Sequence, residues 1–136
     1  MNGAMVDSCV LLDVLTEDPV WFAWSSEALT ARADRGLLVI NSIIYAEVSI
    51  GFERIEDLEA VLPERFVVLR PIPREAAFLA GKVFLQYRRR GGTRTAPLPD
   101  FLIGAHALVA NMPLVTRDTA RFRTYFPNVE LIEPDS

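Results

Sequence analysis

The sequence contains very little cysteine and histidine, the residues whose sulfur and nitrogen atoms bind transition metals and serve in many catalytic sites. Its 136 residues include one cysteine, Cys9, and one histidine, His106. A single cysteine excludes an intramolecular disulfide, and a structural zinc site needs four nitrogen or sulfur ligands that this chain cannot supply. Any metal ion it binds must therefore be a hard ion held by oxygen atoms.

The same scarcity restricts the catalytic nucleophiles. A serine hydrolase would have to use His106, which lies in an apolar run, and the sequence has no Gly-x-Ser-x-Gly segment. A Cys9 and His106 nucleophile pair stays open, although a free cysteine more often behaves as a small buried hydrophobic residue. A phosphatase or phosphotransfer domain is disfavoured because the only lysine is Lys82, within a predicted helix, and no Gly-x-x-x-x-Gly-Lys loop is present.

Long apolar runs and an early basic segment are also absent. No lysine or arginine precedes Arg32, so we expect no secretory signal peptide with a basic leader. Acidic and polar residues interrupt each apolar run before the roughly 18 residues that a membrane helix needs. We expect a cytoplasmic protein without membrane association, folded as one domain over residues 1–136.

Charge is divided unevenly along the chain. Residues 1–69 carry a net charge of −8, residues 70–126 carry +7, and residues 127–136 carry −3. Four arginines surround Gly91-Gly92, namely Arg88, Arg89, Arg90 and Arg94. Guanidinium groups can bond phosphate oxygens through two nitrogens, which favours a phosphate-binding patch. The alternative is a solvated helix end, where positive charge is favourable.

Short β-branched runs alternate with amphipathic stretches, which is typical of an α/β domain with a mainly parallel central sheet. Strands are predicted at residues 3–6, 37–40, 66–69, 114–116 and 129–132. Helices are predicted at residues 8–15, 18–35, 43–52, 53–62, 73–90, 99–111 and 119–126, the second of them capped by Asp18. Residues 91–97 are predicted to form an exposed loop.

Four acidic residues lie near the carboxyl ends of predicted strands or in the first turn of a helix: Asp7, Glu47, Asp100 and Asp118. In an open parallel sheet, ligand sites form at this edge. Each acid has an ordinary alternative, as a helix cap or first-turn acid, or for Glu47 as a residue on the solvent edge of its helix. If they converge, carboxylates about 5 Å apart repel by roughly 3 kcal/mol per pair, and one or two Mg²⁺ or Mn²⁺ ions would relieve that repulsion.

Several segments together resemble the PIN-domain ribonucleases, and among them the VapC-like toxins of bacterial toxin–antitoxin pairs. The likeness spans nearly the whole chain. It rests on Val6-Asp7-Ser8 with Val10-Leu11-Leu12-Asp13, on Asn41-Ser42 with Glu47 and Gly51, on Asp100-Phe101-Leu102-Ile103-Gly104-Ala105, and on Thr116-Arg117-Asp118 with Phe122.

The resemblance implies a three-layer α/β/α fold and a Mg²⁺- or Mn²⁺-dependent endoribonuclease, in which a metal-activated water attacks the phosphorus of RNA. It implies Asp7, Glu47, Asp100 and Asp118 as the catalytic and metal-binding carboxylates, with Ser8 and Thr116 as supporting hydroxyls. We expect the RNA backbone to contact Arg88, Arg89, Arg90, Arg94 and Arg117. Asp13, on the first helix, is expected to be structural.

A toxin of this kind implies a cognate antitoxin protein and a homodimer. The aromatic residues Trp21, Phe22 and Trp24 are either anchors for that partner or part of the core. The alternative function is a catalytically silent PIN-like module that binds RNA or protein.

Overall fold

A computed structural model describes residues 3–95 and 98–135. Five strands form one sheet: β1 (Ala4–Val6), β2 (Leu38–Ile40), β3 (Val67–Leu69), β4 (Leu114–Val115) and β5 (Leu131–Ile132). The strand order is β3-β2-β1-β4-β5, and every neighbouring pair is parallel. All residues of β1, β2 and β4 are buried, as expected for a parallel sheet covered by helices on both faces. The predicted α/β fold is confirmed.

Seven helices flank this sheet in the described residues. They are α1 (Ser8–Leu15), α2 (Phe22–Ala33), α3 (Ser42–Ser49), α4 (Ile55–Val61), α5 (Arg74–Arg89), α6 (Pro99–Val109) and α7 (Ala120–Tyr125). All seven predicted helices are present, and α1 has the predicted bounds. The others are shorter than predicted. The helix after β2, for example, ends at Ser49 rather than Phe52, and Gly51 follows it in a turn.

The largest difference lies at the start of α2. The prediction began this helix at Asp18, whereas it begins at Phe22. The Asp18 carboxylate accepts hydrogen bonds from the backbone N–H groups of Val20 (3.0 Å) and Trp21 (2.8 Å). Asp18 therefore closes a separate turn before the helix instead of capping it. Together with the bond from the Phe22 N–H to the Asp18 carbonyl (3.0 Å), these side-chain bonds form a single capped turn that ends where α2 begins.

The strand order creates a crevice beside β1. From β1 the chain passes to β2 on one side, and it later enters β4 on the other side. The connections that leave the carboxyl ends of β1 and β4 run in opposite directions along the sheet, and ligands of open α/β sheets bind at such a switch point. Asp7 follows β1 and Thr116 follows β4, so both lie at this crevice.

The core lies between the sheet and the helices, and Met5, Phe101 and Phe122 are among its largest fully buried side chains. In the predicted loop, Gly91 has a φ of +92°, a conformation that glycine adopts without steric cost. Residues 96 and 97 of that loop lie outside the described residues. None of the described helices has the length and apolar character needed to cross a bilayer.

Candidate active site

Asp7 occupies the start of the crevice as the N-cap of α1. One carboxylate oxygen, Oδ1, accepts a hydrogen bond from the backbone N–H of Ser8 (2.8 Å), and Oδ2 accepts one from the Thr116 hydroxyl (2.8 Å). The residue is 5% exposed. Burial raises the pKa of Asp7 to about 6 against the opposing Thr116 hydrogen bond, and the negative charges of Asp100 and Glu47 add to the rise. Asp7 is thus held rigidly in an environment that disfavours its ionised form.

Ser8 connects the first helix to Glu47 on α3. Its hydroxyl donates a hydrogen bond to Glu47 Oε1 at 2.9 Å. Burial raises the pKa of Glu47, the Ser8 hydrogen bond opposes this rise, and the charge of Asp100 adds to it. Glu47 therefore faces the crevice, and the alternative of a carboxylate on the solvent edge of α3 does not describe its position.

Asp100 and Asp118 lie at the outer part of the same edge. Asp100 is in the first turn of α6, directly after Pro99, and its Oδ2 lies 3.4 Å from Nη1 of Arg121. Burial raises the pKa of Asp100, Arg121 opposes the rise, and the charge of Asp118 adds to it. The backbone N–H of Asp118 donates to the Thr116 hydroxyl at 3.1 Å. Thr116 thereby links the Asp118 segment to Asp7.

The four predicted carboxylates therefore form an electrostatically coupled row along one edge, with both predicted hydroxyls bonded into it. They are not drawn into a closed cage. In residues 3–95 and 98–135, no three histidine, cysteine, aspartate or glutamate side chains are grouped tightly enough to constitute a preassembled metal site. Mutual repulsion between ionised carboxylates favours such an open arrangement.

The chemistry of this donor set fits a hard divalent cation. Carboxylate and hydroxyl oxygens are the donors that Mg²⁺ and Mn²⁺ prefer, and no nitrogen or sulfur donor dominates the edge. A cation would stabilise the ionised forms of Asp7, Glu47 and Asp100, whose burial raises their pKa values.

The predicted phosphate-binding arginines end α5 and begin the loop after it. Arg88, Arg89, Arg90 and Arg94 are all exposed. Nη1 of Arg88 donates to the backbone carbonyl of Arg94 at 2.6 Å, which fixes the turn between them. The Arg90 guanidinium lies 5.2 Å from the centroid of the Tyr125 ring, and Tyr125 lines the same surface depression as Asp100 and Asp118. Arg90 thus connects the basic cluster to the acidic edge.

Arg117, which the sequence predicts to contact RNA phosphate, instead pairs with the carboxylate of Asp13. Its guanidinium donates two hydrogen bonds to Asp13, Nε to Oδ2 (2.7 Å) and Nη2 to Oδ1 (2.8 Å), and it lies over the Trp21 ring. Ser25 donates a third hydrogen bond to the same carboxylate at 2.8 Å. Asp13 is therefore structural, as expected, and Arg117 ties the segment between Thr116 and Asp118 to α1 and α2.

The single histidine and the single cysteine serve other contacts. His106 is buried and its Nδ1 lies 3.1 Å from the amide nitrogen of Asn41, while burial lowers its pKa. Cys9 lies beside the site, with its sulfur 3.7 Å from both Asp7 Oδ2 and Thr116 Oγ1. Burial raises the pKa of the Cys9 thiol to about 11, and the charge of Asp7 adds to this rise. A protonated thiol is a poor nucleophile, which disfavours the Cys9 and His106 alternative.

The aromatic residues near α2 differ in whether they belong to the core or lie exposed, as an anchor for a partner would. Trp24 packs against the core and meets Trp21 edge to face, with ring centroids 6.5 Å apart. Phe22 is exposed. Phe22 is thus the most exposed member of this group, whereas Trp21 and Trp24 are half-buried.

Sequence reasoning missed Arg121, whose side chain contacts a candidate metal ligand, and the pairing of Asp13 with Arg117. Both contacts join residues that are far apart in the chain: Arg121 meets Asp100 across 21 positions and Arg117 meets Asp13 across 104. Helical periodicity carries no signal for such tertiary pairs. The nearest available signal for Arg121 was its position three residues after Asp118.

Comparison with known proteins assigns the fold to a family. The family model described as PIN domain matches residues 4–126. No curated protein matches the sequence significantly.

Solved VapBC and FitAcB structures share this fold over almost the full chain. VapBC2 from Rickettsia felis, bound to a promoter DNA fragment, aligns with a TM-score of 0.73 and 22% identity, covering 98% of this chain and 99% of that chain. DNA-bound VapBC from Salmonella typhimurium aligns with a TM-score of 0.72 and 22% identity, covering 98% of both chains. FitAcB from Neisseria gonorrhoeae aligns with a TM-score of 0.65 and 18% identity, covering 94% and 95%. At these identities the similarity shows a common fold.

Proposed function

Because this chain belongs to the PIN domain family, we propose that it is a Mg²⁺- or Mn²⁺-dependent endoribonuclease that hydrolyses RNA phosphodiester bonds. The observation that supports this proposal most is the coupled row of Asp7, Glu47, Asp100 and Asp118 at the switch point of the sheet. Asp7 is buried, and Glu47 and Asp100 are half-buried. Carboxylates in such positions, whose charges disfavour one another, cost stability, and a cation that binds between them offsets this cost.

In this proposal the carboxylates bind the metal ion and the hydroxyl groups orient the carboxylates. Asp7, Asp100, Asp118 and Glu47 would hold the ion. Thr116 and Ser8 keep the carboxylates of Asp7 and Glu47 oriented through hydrogen bonds of 2.8 and 2.9 Å. A divalent ion bound there supplies a water of lowered pKa and stabilises the charge that develops on the phosphate.

The proposed nucleophile is water rather than the ribose 2′-hydroxyl, so the products carry 5′-phosphate and 3′-hydroxyl ends. Activation of the 2′-hydroxyl commonly requires an accessible general base. The chain has one histidine, and it is buried against Asn41. The exposed Arg88, Arg89, Arg90 and Arg94 would attract the RNA backbone to an edge that is otherwise acidic. Arg117 is left out of this set because Asp13 occupies its guanidinium.

We further propose that the chain is the toxin of a toxin–antitoxin pair in the cytoplasm. Two of its structural neighbours are described as VapBC with DNA bound, and a third, from Klebsiella pneumoniae, is described as a toxin-antitoxin complex. The proposed partner is therefore a cognate antitoxin, and the proposed assembly is a homodimer of this chain together with it. Exposed Phe22 is a candidate contact for the antitoxin.

A cleavage assay on single-stranded RNA tests the enzymatic proposal. We expect the purified chain to cut RNA with Mn²⁺ or Mg²⁺ and to stop when EDTA is added. Asp7→Asn and Asp100→Asn should each lower the rate more than roughly 100-fold, which is the upper range for residues that only support a metal ligand. Asp57→Asn, an exposed aspartate on α4, is the matched control and should cut at the wild-type rate.

Full activity in either site variant, or cutting that persists in EDTA, would contradict the proposed mechanism. Wild-type chain that binds RNA without cutting it under any divalent ion would instead favour the catalytically silent binding module.

A further inference from the structure

Arg121 is the basic side chain in contact with the acidic row. Its Nη1 lies 3.4 Å from Asp100 Oδ2, and its side chain is 43% exposed. It lines an open depression of about 420 Å³ together with Asp100, Asp118, Thr124 and Tyr125. Within the described residues, this is the one ion pair that involves a candidate metal ligand, because the other three pairs join Arg54 to Glu56, Arg117 to Asp13 and Arg123 to Glu133.

The contact is electrostatically important and weakly held. Arg121 is the cation that pairs with Asp100, and the Asp118 carboxylate, which has the opposite charge to Arg121, lines the same depression. The pair nevertheless has a single contact of 3.4 Å, longer than the roughly 2.7–2.9 Å of a charge-assisted hydrogen bond, and both side chains are partly exposed. Partly exposed pairs of this kind are readily exchanged for water or for another cation.

If a divalent ion binds Asp100, it lies only a few ångströms from the Arg121 guanidinium, which is also positively charged. Their repulsion and the ion's greater charge favour the ion at the carboxylate and the guanidinium in solvent. The displaced side chain stays attached to α7 beside the same depression. A free guanidinium at that rim can bond a phosphate oxygen through two nitrogens.

Resting on the proposed function, we propose that Arg121 is an exchangeable counter-cation of the site: it neutralises Asp100 in the metal-free chain, a divalent ion displaces it, and it then binds the RNA phosphate beside the ion. Arg121 is thus an RNA-positioning residue of the loaded site and a competitor during metal binding. Removing its charge should have opposite effects on these two steps.

Calorimetric titration with Mn²⁺, without RNA, tests the first step. Arg121→Gln should bind Mn²⁺ up to about fivefold more tightly than the wild type, the range expected from losing a partly exposed ion pair. Arg121→Lys keeps the charge and should bind Mn²⁺ close to the wild-type affinity. Arg123→Gln is the matched control, since Arg123 lies on the same helix and pairs with Glu133 away from the depression; its Mn²⁺ affinity should not change.

RNA cleavage at saturating Mn²⁺ tests the second step. Arg121→Gln should raise KM for RNA, and the slope of log KM against log salt concentration should fall by about 0.7, the loss expected for one phosphate contact on a single strand. Arg121→Lys should restore that slope, and Arg123→Gln should leave it unchanged.

Equal or weaker Mn²⁺ binding by Arg121→Gln, or an unchanged salt slope in an active enzyme, would overturn the assignment of Arg121. Failure of the nuclease proposal has a different signature. In that case Arg121→Gln would still bind Mn²⁺ more tightly than the wild type, and neither chain would cut RNA. Absence of Mn²⁺ binding by the wild-type chain would overturn both.

Discussion

Asp7 shows at the residue scale why the proposed site is costly without a bound cation. Its carboxylate is almost fully buried, and the contacts that stabilise it are the Ser8 N–H, the Thr116 hydroxyl and the weak Cys9 thiol. Among the described residues it has no ion pair. Hydrogen bonds from neutral donors only partly replace the lost hydration of a charge.

This cost predicts that Asp7→Asn stabilises the metal-free protein. The pKa of Asp7 is raised from 3.8 to about 6 on folding, so the folded chain holds its proton more tightly than the unfolded chain. The ionised carboxylate therefore destabilises the fold fully above pH 6, less at pH 5, and not at all below about pH 3.8. Asparagine keeps an oxygen for the Ser8 N–H and removes the charge. Urea unfolding at pH 8 should show a gain of about 1–3 kcal/mol.

The pH dependence identifies the cause of this gain. It should shrink as the pH is lowered from 7 to 5, because wild-type Asp7 then becomes protonated in the folded state. A loss of stability at pH 8, or a gain that does not vary with pH, would mean that the hydrogen bonds of Asp7 outweigh the cost of its charge.

At the scale of the elements, the geometry of the site depends on the hydrogen bonds that join the segments after β1 and β4 to each other and to the helices. Thr116 joins the β4 segment to Asp7, and one position later Arg117 joins it to Asp13 and, through that carboxylate, to Ser25 on α2. Burial alone would raise the pKa of Asp13, but the hydrogen bonds from Arg117 and Ser25 outweigh it and lower that pKa. Two adjacent side chains thus fix the position of the segment that carries Asp118.

Helix α6, which carries Asp100, is positioned by the close approach of Phe126 to Gly104. A Cβ atom on Gly104 would overlap the Phe126 ring, and Phe126 is nearly fully buried, so neither group can move without loss of packing. Gly81 on α5 is a helical glycine with open space where its Cβ would lie. A side chain can therefore be accommodated at position 81 but not at position 104.

Alanine substitutions at the two positions should change the free energy of unfolding in opposite directions. Gly104→Ala is expected to lower the free energy of unfolding by about 1–3 kcal/mol through overpacking. Gly81→Ala, the matched control, should raise it by about 0.5–1 kcal/mol because alanine is the better helix former. Both are measured by urea unfolding at one pH. A neutral or stabilising Gly104→Ala would show that Phe126 is free to move away from α6.

At the scale of the whole molecule, the sequence predicts the elements better than their lengths or their contacts. Alternating apolar and amphipathic segments are local signals, so all five strands and seven helices are predicted. The start of α2 is wrong because Asp18 bonds a local turn. Four strands begin one or two residues later than predicted and β4 ends one residue earlier, since pairing with a neighbour as well as composition decides the bounds of a strand.

Prediction of the candidate site has the same limit. Strand ends and motif spacing bring Asp7, Glu47, Asp100 and Asp118 to one edge, but spacing carries no information on which cation neutralises which acid. Arg117 illustrates this, since it is basic and next to Asp118 in sequence, yet its guanidinium pairs with Asp13. Ion pairs between distant segments depend on the packed geometry of several elements at once.

The proposed function requires a divalent cation bound among the carboxylates at the β1 and β4 strand ends. Anomalous diffraction from crystals grown with Mn²⁺ would locate this cation. We expect an anomalous peak in contact with carboxylate oxygens of Asp7 and Asp100, and no such peak in Asp7→Asn crystals. The proposed metal site would be refuted if protein that cuts RNA bound Mn²⁺ elsewhere on the chain, with no contact between the ion and Asp7.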